Sequence, residues 1–133
     1  MLLPAGTHVA VADGEKLLIL RNHGGTGLKL TAQSTPAVGG GNKSGGMHHG
    51  SSAANPDDSR LEEDSFAAAT AKFLNGEVLA GRIADLVVVA PGKTLGELRK
   101  HYHKTLQDKL VGELSKDLVN TSIPEIEQIL QAA

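Results

Sequence analysis

The chain has 133 residues, enough for one domain around a single hydrophobic core. Aromatics make up only 2% of it and the formal net charge is -2, so the core must be aliphatic and a generally basic nucleic-acid binder is excluded. The absence of cysteine excludes a disulfide framework, thiolate catalysis and cysteine-ligated zinc.

Met1 to Pro4 is too short for a signal peptide, and no apolar run approaches the roughly 20 residues that cross a bilayer. The expectation is a cytoplasmic protein without membrane contact. His8 to Ala12 and Lys16 to Leu20 read as two strands around Asp13-Gly14, a pair that favours a tight hairpin turn with positive φ. Asp13 invites comparison with first-strand catalytic acids, but turn chemistry accounts for it more simply. Arg21 to Gly27 reads as a second turn, and Leu28 to Ala32 as a third strand with Leu28 and Leu30 on one face. Three consecutive antiparallel strands make a meander.

From Ser34 to Asp58 the composition changes to glycine, serine, asparagine and histidine. Such a stretch has too little apolar surface to offset its ordering entropy and is expected to be a flexible loop. Gly41-Asn42-Lys43-Ser44 and Gly92-Lys93-Thr94 both fail the phosphate-loop pattern. Asn42 separates glycine from lysine in the first, and Val87 stands where the second needs a glycine.

Pro56 to Ser59 offers caps for a helix whose apolar stripe includes Leu61, Phe66, Ala69 and Phe73, ending at Asn75-Gly76 or continuing to Ala80. Leu86 to Ala90 is unbroken apolar sequence, the pattern of a strand covered on both faces, and Pro91-Gly92 stops it. Thr94, with Glu97 three residues on, fits a capping box for a helix from Leu95 to Leu110. Val111 to Leu114 reads as a strand, and Ser122 caps a terminal helix with Pro124 in its first turn. The order predicts an α/β fold, a single-domain sandwich over residues 1–133 with a mixed sheet.

Little in the chain marks chemistry. Met47-His48-His49 could meet a metal, but two adjacent imidazoles, His48 and His49, fall short of the three protein ligands a zinc site needs, and no cofactor is implied. No pair of carboxylates has acid–base spacing and no nucleophile sits in a recognisable elbow. Lys100 and Lys104, with Arg99 and His103, form adjacent i,i+4 pairs along the helix surface, a small face that could meet phosphates. The competing reading is an ordinary solvated helix surface.

Several blocks together resemble a known family. Leu3 to Lys16 resembles the opening of the bacterial host-attachment proteins. Phe73-Leu74-Asn75, Leu79 to Arg82, Leu86 to Pro91, Leu95 to Lys100, His101, His103-Lys104 and Glu113 to Leu118 resemble its later blocks. That family is grouped with the bacterial release-factor-like (baeRF) proteins, which are similar to the middle domain of archaeal and eukaryotic peptide release factors. The resemblance implies a ribonuclease-H-like fold and a loop, between the early strands and the first long helix, that enters the ribosome. In the release factors that loop carries Gly-Gly-Gln. Here the equivalent stretch holds Gly45-Gly46-Met47, with methionine in the glutamine position. The implied function is a non-enzymatic module contacting ribosome or RNA through Lys43, Gly45, Gly46, Met47, Arg99, Lys100, His103 and Lys104. The alternatives are a surface or secreted attachment factor, and a hydrolase on a nuclease-like fold.

Overall fold

A computed structural model describes residues 1–24, 27–34 and 56–133, with 56–60 described by backbone alone. The described residues form a mixed α/β domain of five strands and four helices. The strands are β1 (His8–Ala12), β2 (Leu17–Asn22), β3 (Leu30–Gln33), β4 (Leu86–Ala90) and β5 (Leu110–Ser115). The helices are α1 (Pro56–Leu79), α2 (Gly92–Arg99), α3 (Lys104–Lys109) and α4 (Ile123–Ala132).

The sheet order is β3-β2-β1-β4-β5. The meander β1–β2–β3 is antiparallel, whereas β4 pairs parallel with both β1 and β5. All five residues of β4 are buried, as its apolar run requires, because the strand has a neighbour on each edge and a packed layer on each face. Ala10, Val88 and Ala90 join Leu74 and Val78 of α1, Leu95 and Leu98 of α2 and Leu106 of α3 in one core. Val9, Val11, Val87 and Val89 point the other way, into a second core with Leu118 and with Ile126 and Leu130 of α4. The period-2 alternation of a strand thus divides the aliphatic side chains between two layers.

The β1–β2 turn is built by Asp13, although neither Asp13 nor Gly14 adopts a positive φ. Its Oδ1 accepts the N–H groups of Glu15 at 2.8 Å and Lys16 at 2.6 Å, and its own N–H donates to the Lys16 carbonyl at 3.0 Å. This is a four-residue connection closed by the aspartate side chain, which accounts for Asp13 without catalysis. β2 runs on through Arg21 and Asn22, which the sequence places in a turn. Asn22 is buried, yet all its polar capacity is used. Its amide donates to the Leu3 and Pro4 carbonyls, and its oxygen accepts from Gly24 and Lys29. That full satisfaction is what lets a polar residue end a strand inside the core.

The structure takes one of the two ends the sequence allows for the first long helix and departs from the sequence reading at the second helix. α1 passes through Asn75-Gly76 and ends at Leu79, where Gly81 takes the left-handed conformation (φ 80°). The Gly81 and Arg82 N–H groups then return to the Val78 and Glu77 carbonyls, satisfying orphan acceptors of the last turn. The expected single helix from Leu95 to Leu110 is two helices. α2 begins at Gly92 rather than Leu95, with Pro91 as its N-cap and no side-chain cap from Thr94. It ends at Arg99, and α3 starts afresh after His103, whose backbone is extended. In β5 the register shifts beside Leu110, so that Val87 faces Gly112 and Val111 is left out of the pairing, 42% exposed. At the end of the chain Ser122 caps α4 as expected, accepting from the Glu125 N–H, with Pro124 in the first turn.

Candidate functional site

The break between α2 and α3 places four of the expected contact residues at one corner. A continuous helix would have used the His101 carbonyl and the His103 N–H in its ladder. Instead the buried Asn75 side chain takes both: its amide donates to the His101 carbonyl at 2.9 Å, and its oxygen accepts the His103 N–H at 2.9 Å. Asn75 lies on α1, so one side chain pins the turn 100–103 to the long helix. Tyr102, at the centre of that turn, packs against the core. Burial, helped by the nearby Glu113 carboxylate, pushes its phenol well above the ordinary range, so it stays neutral. Its hydroxyl and the Glu113 Oε2 are both buried without a hydrogen-bond partner among the described residues.

The three cationic side chains at this corner, Arg99, Lys100 and Lys104, already face carboxylates. Arg99 grips one oxygen of Glu113 with Nε at 3.0 Å and Nη2 at 2.7 Å. Lys100 reaches Glu97 at 3.1 Å, and this hydrogen bond is the main reason the Glu97 carboxyl is held below its usual range. Lys104 lies 4.0 Å from Asp108. The lysines are the accessible members, at 68% and 87% exposed, and such surface pairs are weak enough to exchange for a phosphate. Arg99 is held more firmly, between helix and sheet. The i,i+4 relation of Lys100 to Lys104 along one helix does not exist, because the chain turns between them.

A second feature has no counterpart in the sequence reading. Between the sheet and the C-terminal part of α1 lies a cavity of about 590 Å³, lined among others by His8, Arg21, Phe73, Glu77, Arg82 and Asp85. His8 and Arg21 are directly opposite each other in the β1–β2 register, which puts both side chains on the α1 face of the sheet. Glu77 Oε2 accepts from Arg82 Nε at 2.9 Å and pairs with Nη2 at 2.7 Å, so these two charges compensate each other. Arg21 is exposed and has no hydrogen bond or ion pair through its side chain among the described residues. Burial, and after it the Arg21 guanidinium, lowers the His8 pKa against an opposing effect of Glu77. The His8 Nδ1 is closed off from solvent without a hydrogen-bond partner among the described residues.

The remaining expected contact residues, Lys43, Gly45, Gly46 and Met47, lie outside the described residues, as do the metal candidates His48 and His49 and nearly all of the expected loop at 34–58. Among the described residues no three His, Asp or Glu side chains come together as a metal site, and no helix is long and apolar enough to cross a membrane. The cavity escaped sequence reading because its residues come from β1, β2 and the far end of α1. The available signal was His8, a titratable residue opening an otherwise apolar strand.

No curated protein matches the chain. A family model described as bacterial archaeo-eukaryotic release factor family 12 matches residues 6–130, which includes every strand and nearly all of the last helix. The chain belongs to bacterial archaeo-eukaryotic release factor family 12.

Proposed function

We propose that this protein is a non-enzymatic, cytoplasmic, release-factor-related module that contacts ribosomal RNA. The family match over residues 6–130 carries this reading. The strand order β3-β2-β1-β4-β5, with β2 opposed to its neighbours, supports a ribonuclease-H-like arrangement. The accessible Lys100 and Lys104 beside the Asn75-pinned turn supply exchangeable cations for phosphates, and His103 stands just before the helix that carries Lys104. Arg99, bound to Glu113, serves chiefly to fix that corner. The Lys43 to Met47 segment completes the contact surface in this reading, and methionine at position 47 supplies no amide to direct a water onto an ester.

The test is co-sedimentation with ribosomes at low and moderate salt, beside a peptide-release assay. Binding should weaken steeply with salt, because each neutralised phosphate releases counterions. A variant carrying Lys100→Glu and Lys104→Glu should bind less without loss of fold, and neither protein should release peptide. Salt-insensitive binding, binding unchanged by the double substitution, or release activity would each overturn the reading.

A further inference from the structure

We propose that the cavity under the C-terminal part of α1 is a binding site for one nucleoside monophosphate unit, with its phosphate on Arg21. The volume of about 590 Å³ is in the range of small-ligand sites, and such sites combine apolar walls with a few convergent polar groups. Ile19, Phe73 and Ile83 give this cavity its apolar side. Phe73 is only partly buried, so an aromatic face remains on which a base can stack.

The charges define the ligand more narrowly. The lining carries two guanidiniums and two carboxylates, and Glu77 and Arg82 are already joined to each other. Among the described residues of the lining, Arg21 is therefore the cation left to take an anion, with His8 opposite it in the strand register. Asp85 has no hydrogen bond through its side chain among the described residues and can accept from sugar hydroxyls. A balanced set of charges does not favour a polyanion, because each further phosphate would meet Glu77 or Asp85. It suits a ligand with one phosphate, hydroxyls and a flat apolar ring system. The occupant's chemistry is the same in a free mononucleotide and in one nucleotide of a single-stranded RNA.

This site is separate from the α2–α3 corner and stands whether or not that corner meets RNA. The test is an amide chemical-shift titration of the ¹⁵N-labelled protein with AMP, GMP, CMP and UMP. Saturable shifts are expected at Gly6, His8, Phe73 and Ile83. Arg21→Gln should weaken binding about tenfold or more, the usual weight of a charge-assisted hydrogen bond, with an unchanged spectrum elsewhere because Arg21 is exposed and has no partner among the described residues. Adenosine should bind correspondingly less than AMP, and ATP no better than AMP. The Lys100→Glu, Lys104→Glu variant should bind all four monophosphates as the parent does. A short unstructured RNA that shifts the same amides at lower concentration identifies an RNA nucleotide as the occupant; mononucleotides that bind at least as well identify a free one. No shifts at these residues with any monophosphate, binding untouched by Arg21→Gln, or adenosine equal to AMP would overturn the proposal.

Discussion

Replacing Asn75 with Ala probes the contact that holds the proposed RNA-facing corner to the rest of the domain. The side chain makes two hydrogen bonds of 2.9 Å, to the His101 carbonyl and the His103 N–H, and the residue itself is 7% exposed. Leaving a buried backbone group unpaired costs about 1–3 kcal/mol, so two such groups set an upper range of about 2–6 kcal/mol. His101 and His103 are themselves exposed, so water can reach the freed groups in part, and the expected loss is about 2 kcal/mol. With a urea m-value of about 1–3 kcal/mol/M, the unfolding midpoint should fall by roughly 1 M with no change in m. Asn75→Asp keeps an acceptor for His103 but sets a carboxylate oxygen against the His101 carbonyl at a buried position, so it should lose at least as much as the alanine variant. The lysines are untouched, yet ribosome binding should weaken because the turn that carries them is no longer pinned. A midpoint within about 0.2 M of the parent would refute the reasoning, since that is well under the cost of one unpaired group.

Two further outcomes follow from the same structure. Val88→Asp puts an unpaired carboxylate at a fully buried position in the central strand, a loss on the order of 5 kcal/mol and comparable with the stability of a whole domain. The variant should not be recovered folded, and a soluble protein with parental melting would contradict the two-sided burial of β4. His8 has its pKa lowered in the fold by burial and by Arg21, with His23 adding to this and Glu77 opposing it. The folded state therefore favours the neutral ring, so the stability from this group is complete above the unfolded value of 6.5 and is lost as pH falls through the lower folded value. His8→Gln should reduce the difference in urea midpoint between neutral and mildly acidic solution, and an unchanged difference would assign the acid sensitivity elsewhere.

The strands and the sheet's mixed character were legible because hydrophobic period is a local property. Leu86 to Ala90 could only be a doubly covered strand, and Val9 and Val11 alternate with alanines in a way that suits two cores. Positions where a side chain overrides local preference were not legible. Leu95, Leu98, Tyr102, Leu106 and Leu110 keep helical spacing, yet Asn75, over 20 residues earlier, takes the hydrogen bonds that would have continued the helix. Asn22 reads as a turn residue and is instead a strand terminus whose four bonds cross from β2 to two separate segments. The exchangeable lysines could be named from sequence, but their pairing with Glu97 and Asp108 could not be weighed against solvent until the helices were placed. The cavity was invisible for a similar reason: Arg21 meets His8 only through strand register, and Phe73 and Glu77 arrive on another element.

Ribosome contact in the cell is read from the distribution of the endogenous protein across a sucrose gradient of gently lysed cells, with ribosomal RNA followed in the same fractions. The protein should migrate with ribosomes or subunits at low salt and move to the top of the gradient as salt rises. Protein found wholly in the ribosome-free fractions at low salt, or recovered on the outer cell surface without lysis, would contradict it.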